Sequence, residues 1–293
     1  MKKAMIIAPV LLDNISYVDE LPRGNEELKL GETVQRADGF GYHTALFMSL
    51  FNFPYELLSD CASGVYGDWV YAECRNEGLD VKQNNTGTAG STFHIVDRYG
   101  NYQYFCMPGA EYDFDEDLLE EIDLDQYSLI VLSGDMFCGN GTDGLMELLR
   151  EAELPLYFRC GMRIDETASG VLPAVYALNP VLMLDEADAG YLYGSQADID
   201  AIAAALYEKT KAPVIILKSG EGAYCNDGHE TFIAPVDKSL NPDVFWPAFI
   251  TARSAGVDLK NALVFAGECL DLGADEASLQ SARRRLAGMI TQK

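Results

Sequence analysis

Between residues 129 and 218, short apolar runs and helical patterns take turns with little between them. Residues 129–133, 156–159, 181–184 and 213–218 read as strands, and 144–152, 169–176 and 198–209 as the helices that separate them. A strand that reaches the next one only through a helix builds a parallel sheet with helices on its faces. The run Ala4-Met5-Ile6-Ile7-Ala8-Pro9-Val10 fits the same sheet, because a strand covered on both sides is apolar without alternation. This first strand is expected to end at Asp13-Asn14. Helices at 246–255, 261–270 and 276–290 complete an α/β, doubly wound pattern. At 293 residues and 48% hydrophobic content, with no internal repeat or low-complexity tract, one domain spanning 1–293 is expected.

Two stretches leave the alternation. Residues 14–36 carry Pro22, Gly24 and Gly31 as turn punctuation and no long helix pattern. Residues 91–96 and 101–106 alternate, are rich in β-branched and aromatic side chains, and flank Asp97-Arg98-Tyr99-Gly100, which together predict a β-hairpin. The segments 14–36 and 91–112 are therefore expected to form a small sheet standing off the main one as a lid. A helix at 44–50 follows Gly39-Phe40-Gly41, a strand is expected at 55–58, and a helix opened by Gly64 is closed by Gly78. The acidic run 113–125 predicts a solvated helix face.

The formal net charge of −25 excludes whole classes of partner. Nucleic acid and anionic membrane are bound through basic patches, and the only basic run, Arg283-Arg284-Arg285, fits one face of a terminal helix. A phosphate-bearing ligand would have to be held locally, by backbone N–H groups, a few cations or Mg2+. Seven cysteines, an odd number with no C-x-x-C pair, predict buried thiols in a reducing compartment. The N-terminal apolar run is too short for a signal or membrane segment, so a soluble cytoplasmic protein is expected.

In sheets of this kind ligands bind outside the carboxyl ends of the strands. The stretch 236–245 follows a strand-like run and opens a helix, which places Asp243 at a helix N-terminus, where unpaired amides and the helix dipole attract anions. Asn241 suits the N-cap, Pro242 the first helical position and an acid the first turn, so the stretch reads fully as a helix start. Asp243 is either part of that start or a base.

Taken in order, these features resemble the pfkB family of carbohydrate and nucleoside kinases, whose fold is ribokinase-like with a β lid. The resemblance runs from Ala4 to about Arg283. It rests on Asp13 with Val18-Asp19-Glu20-Leu21-Pro22-Arg23-Gly24, on Asp38-Gly39-Phe40-Gly41-Tyr42-His43, and on Gly64-Val65-Tyr66-Gly67-Asp68. It continues through Pro108-Gly109-Ala110-Glu111, Asp185-Glu186-Ala187-Asp188, Lys218-Ser219-Gly220-Glu221-Gly222 and 237–245. It implies ATP and Mg2+ as cofactors, a sugar or nucleoside-like small molecule as acceptor, and Asp243 as the general base. It also implies that Leu240, Asn241, Pro242 and Lys218 face the phosphates, with Gly220, Gly222 and Lys238 on the nucleotide side. Asp13, Gly39, Gly41, His43 and Glu111 would line the acceptor pocket, Asp185 and Asp188 would order Mg2+ through water, and the lid could join two copies as a homodimer.

The chain departs from the pattern where chemistry is concentrated. His43 and Glu111 stand where the family has Asn, Arg159 where it has Asp, and Asp188 where it has Glu. Leu240-Asn241-Pro242 replaces the Gly-Ala-Gly whose amides form the anion hole, and Pro242 has no N–H to offer. Lys218, Lys238 and Arg163 are candidates to compensate as cations, while Lys218 also reads as a solvated strand end and Asp185/Asp188 as a helix cap. Two functions follow: a phosphotransferase of reduced rate, or a non-catalytic binder of sugar, nucleoside or nucleotide on the same fold. A dinucleotide-dependent oxidoreductase is disfavoured, since no G-x-G-x-x-G follows the first strand.

Overall fold

The computed structural model describes residues 2–25, 27–59, 61–83, 87–161, 170–194, 198–236, 240–272 and 276–290. Its main sheet has eight strands: β1 (Lys3–Ile7), β4 (Tyr55–Leu57), β7 (Tyr127–Ser133), β8 (Leu156–Arg159), β9 (Val181–Asp185), β10 (Val214–Lys218), β11 (Gly222–Asn226) and β12 (Thr231–Pro235). They lie in the order β12-β11-β10-β9-β8-β7-β1-β4. From β4 to β10 every pairing is parallel, and β11 and β12 add an antiparallel edge.

The strands explain the unalternating apolar runs. Ala4 and Ile6 of β1 join Leu129, Val131, Met183 and Ile215 in one core layer, while Met5 and Ile7 join Ile130, Leu132, Leu182 and Ile216 in the other. On the first face pack α1 (Phe40–Leu50), α2 (Gly64–Asn76), α7 (Pro242–Ser254) and α8 (Leu259–Cys269), with α9 (Glu276–Ile290) outside α8. On the second lie α3 (Thr142–Ala152), α4 (Leu172–Tyr176), α5 (Glu186–Tyr193) and α6 (Ile199–Thr210). None of the described helices is long and apolar enough to cross a membrane.

A second sheet of four strands, β3 (Thr33–Asp38), β2 (Leu11–Val18), β5 (Ser91–Asp97) and β6 (Tyr102–Met107), forms the lid. The hairpin β5–β6 is closed by Asp97, whose carboxylate accepts from the amides of Tyr99 and Asn101 at 2.8 and 2.9 Å. The chain passes from β1 to β2 through Ala8-Pro9-Val10, and two glycines at the start of α1 close over that passage. Gly39 has φ of 101°, and a β-carbon there would lie 2.4 Å from the Pro9 carbonyl oxygen; one on Gly41 would lie 2.3 Å from that of Ala8.

Three expectations need correction, and one strand has no counterpart among them. Asp13 does not end the first strand: β1 stops at Ile7, Pro9 interrupts the run, and Asp13 sits inside β2 of the lid. The lid accordingly begins at Leu11 and extends to Asp38, beyond the expected 14–36. The acidic run holds short 3-10 turns at Glu116–Glu120 and Leu124–Gln126, because Asp115 and Asp123 cap locally while Leu118, Leu119, Ile122 and Leu124 pack inward. Strand β11 escaped notice because its five residues, Gly-Ala-Tyr-Cys-Asn, carry no β-branched side chain.

Candidate functional site

Between the lid and the carboxyl ends of β7, β8 and β9 lies a cleft of about 420 Å³. The lid contributes Arg36 and Asp38 from β3, Thr92 and His94 from β5, and Tyr104 and Cys106 from β6. The main sheet contributes Ser133, Asp135, Arg159, Gly161 and Asp185, and the starts of α1 and α7 contribute Gly39, Phe40, Pro242 and Asp243. Its position obeys the rule that ligands of parallel sheets bind beyond the strand ends.

Asp243 lies in the first turn of α7 with its side chain 42% exposed, its Oδ1 3.5 Å from Arg159 Nη1. Arg159, at the end of β8, is 13% exposed and stacked 5.1 Å from the Phe40 ring centre. A guanidinium over an aromatic face keeps its charge and is held in place, which makes Arg159 the best fixed cation among the described residues of the cleft. Arg36, the other guanidinium among the described lining residues, is divided between Asp38 at 2.8 Å and Asp13 at 3.3 Å.

The amides of Asp243, Val244 and Phe245 are turned inward. Asn241 is the N-cap: its Oδ1 accepts from the Asp243 amide at 3.0 Å and its carbonyl from those of Val244 and Phe245 at 3.1 and 2.9 Å. Pro242 lines the cleft without a donor. Leu240 packs against the core. The cap itself thus satisfies the amides of Asp243, Val244 and Phe245, which are not available to an anion.

The other expected residues divide. Asp13 is fully buried, and its carboxylate accepts from Thr92 Oγ1 and His94 Nδ1, both at 2.8 Å, while Arg36 stands at 3.3 Å. It thus orients Thr92 and His94, which reach the cleft in its stead. Gly39 lines the cleft; the Gly41 amide is given to Pro9. His43 Nε2 donates to Asp38 Oδ1 at 2.7 Å. Burial opposes ionisation of Asp38, but the hydrogen bond and charge of His43, then Arg36 and the Gly39 amide, outweigh it, and its carboxyl lies well below the usual range. Glu111 accepts from the amides of Gly90 and Gly109 at 2.7 and 3.0 Å, pinning the root of the hairpin outside the cleft lining, and burial raises its pKa.

At the opposite side Lys218 Nζ lies 2.7 Å from Glu221 Oε1, and Gly220 and Gly222 (φ 77° and 125°) shape the β10–β11 turn; none of the three lines the cleft. Lys238 and Arg163 fall outside the described residues. Asp185 and Asp188 form a capping box on α5: each carboxylate accepts the other's amide, at 2.8 and 3.0 Å. Asp185 still lines the cleft, so it fits a hard cation held through water; Asp188, 7% exposed, does not.

Burial, and then the charge of Asp185, push Asp188 up to about 7. The folded protein therefore holds a proton that the unfolded chain releases above its ordinary value of 3.8, and stability falls as pH rises between those two values. Asp188→Asn keeps an acceptor for the Asp185 amide and has no proton to lose. Urea unfolding at pH 8 is expected to find the variant more stable than the parent by roughly 2 to 4 kcal/mol, the gap closing toward pH 4. A gap independent of pH would refute it.

Sequence reasoning passed over Arg36, Asp38, His94, Tyr104, Asp135 and the cleft role of Arg159. The partner of His94 is Asp13, which the sequence pattern assigns to the main sheet and the structure to β2 of the lid. Asp38 could have been found, since an acid just before a tight glycine turn at a helix start is a plausible site signal.

No protein-family model matches the sequence. Among solved structures, the chain is similar to ribokinase from Thermotoga maritima, at 17% identity and a TM-score of 0.78, over 99% of this chain and 100% of that one. It is similar to a Burkholderia thailandensis nucleoside kinase solved with inosine, at 17% identity and 0.74, over 99% and 98%. Adenosine kinase from Sinorhizobium meliloti matches at 15% identity and 0.79, over 97% and 99%. At these identities what is shared is architecture: the chain has the ribokinase-like fold, a mostly parallel sheet between helices with a four-stranded β lid over the strand ends.

Proposed function

We propose that this chain transfers a phosphoryl group from ATP to a hydroxyl of a sugar- or nucleoside-like small molecule, at a rate limited by a filled anion hole. The observation that carries the reading is Asp243, a half-exposed carboxylate in the cleft wall, paired with a fixed guanidinium. The likeness to a nucleoside kinase solved with inosine and to a ribokinase solved with ribose and ATP supports the substrate class.

ATP would supply the phosphoryl group when bound, and Asp185, which lines the cleft, would hold Mg2+ through water to neutralise phosphate charge. This chain's own groups do the rest. Asp243 takes the proton of an acceptor hydroxyl brought within hydrogen-bond reach. Arg159 keeps that carboxylate oriented and lends positive charge where an anionic group must sit, a task the α7 amides have given up. Thr92, His94 and Tyr104 offer the acceptor polar contacts from the lid, and Phe40 gives an apolar wall. Such a site resembles most small-molecule pockets, with a few placed polar groups in a partly apolar cleft.

A second reading, a binder without transfer, is favoured by one observation: the Asn241 cap engages the Asp243 amide and Glu221 engages Lys218, two donors expected on the phosphate side. A panel of sugars and nucleosides with Mg-ATP, followed by ADP release and by melting temperature, separates the two. Turnover supports transfer; ligand-induced stabilisation without turnover supports the binder.

The lid carries a further proposal. On its cleft-side face Ile15 pairs with Val34 and His94, and His94 with Tyr104, and beyond the cleft this face exposes Tyr17, Val34 and Tyr102. A second copy would cover it, as unpartnered apolar patches of this kind do. Sedimentation of a Tyr17→Glu/Val34→Glu variant is expected to show monomers where the parent shows dimers; a monomeric parent would overturn this.

A further inference from the structure

Three side chains from three separate elements converge beside the cleft. Asp38 ends β3, His43 lies one turn into α1, and Asp243 opens α7; one ligand atom from each lies within 4.8 Å of the other two. We propose that these residues form a binding site for a borderline divalent metal ion of the zinc class. An imidazole with two carboxylates is a donor set for zinc, cobalt or manganese, whereas magnesium and calcium sites are built from oxygen alone.

The surroundings fit such a site. Asp38 Oδ1, the oxygen against His43, also accepts the Gly39 amide at 2.7 Å, and its Oδ2 is held by Arg36 at 2.8 Å. Arg159 stands 3.5 Å from Asp243 Oδ1. Outer-shell donors on carboxylate ligands are how metal sites fix the direction of their first shell. Ligand atoms around a zinc-sized ion stand roughly 3 to 3.5 Å apart, so a metal would displace the proton shared by His43 and Asp38 and open their 2.7 Å contact slightly, while Asp243 closes in from at most 4.8 Å. The half-exposed Asp243 side chain has the freedom to do so. Three protein ligands leave at least one position for water or for a ligand oxygen in the cleft.

Metal on this triad would join the lid root to α7 and engage the carboxylate proposed as base, so zinc would inhibit phosphoryl transfer. That consequence rests on the function proposed above; occupancy does not, and it is measured without nucleotide. Metal-free protein is titrated with Zn2+ by calorimetry and with Co2+ by visible absorption. One ion per chain is expected, with cobalt d–d bands and no thiolate charge-transfer band. His43→Ala and Asp38→Asn are each expected to abolish binding, and His229→Ala, far from the cleft, to preserve it. Should Asp38→Asn fail to fold, Asp243→Asn serves as the second ligand variant. Stoichiometric binding that survives His43→Ala, a thiolate band from a cysteine site, or no binding by the folded parent each overturns the proposal.

Discussion

Asp243→Asn is expected to leave the fold intact and to lower phosphoryl transfer by about 10²- to 10⁴-fold, the range that a positioned general base supplies. The carboxamide has the same shape as the carboxylate but cannot take a proton from the acceptor. Two features keep the comparison clean. The side chain is half exposed, so the isosteric exchange needs no repacking, and the carboxamide oxygen still faces Arg159, which lies over Phe40. Acceptor binding, read as ligand-induced thermal stabilisation, should change little. Equal turnover in parent and variant would remove Asp243 from the chemistry. A parent that is stabilised by ligand yet never turns over would place the chain among the binders.

Replacing Leu240, Asn241 and Pro242 by Gly, Ala and Gly is expected to act in the opposite direction. The Asn241 carboxamide no longer occupies the Asp243 amide, position 242 gains an N–H, and glycine at 240 allows a left-handed turn. One preorganised donor on a developing anion contributes about 3 kcal/mol, so turnover should rise about 100-fold. Loss of the Asn241 cap should cost about 1 kcal/mol of stability, visible as a lower melting temperature. Gain of rate with loss of stability is the diagnostic pair. Asn241→Ala alone frees the Asp243 amide without adding one at 242, and should give only part of the gain. A folded triple variant with parental turnover would mean that the amides of α7 do not limit the rate.

Where the sequence was legible, burial on both sides of a strand made it so. The runs that became β7 to β10 are apolar except near their ends, the pattern a strand covered on both faces asks for. The hairpin β5–β6 announced itself through its turn, and Asn241-Pro242 announced α7. What stayed hidden depended on pairing between distant segments. β2 joins β3 and β5 across many intervening residues, and its polar members, Asp13, Asn14 and Ser16, are buried among lid partners that no local pattern foretells. Misplacing β2 concealed the Asp13–His94–Thr92 group and with it most of the lid wall. The cleft chemistry suffered in a related way: that the amides of Asp243 to Phe245 are already spoken for follows from cap geometry, whereas composition alone leaves them open.

The contact of Gly39 and Gly41 with the carbonyls of Pro9 and Ala8 bears on how such a pocket can change over evolutionary time. With backbone seated on backbone at the root of the lid, there is no side chain there to trim or enlarge, and an added methyl at either glycine meets an oxygen. Divergence toward larger or smaller acceptors is thus channelled into the strand positions above that seat, such as Thr92, His94 and Tyr104, where one exchange alters the outline of the cavity and leaves the angle between the two sheets as it was.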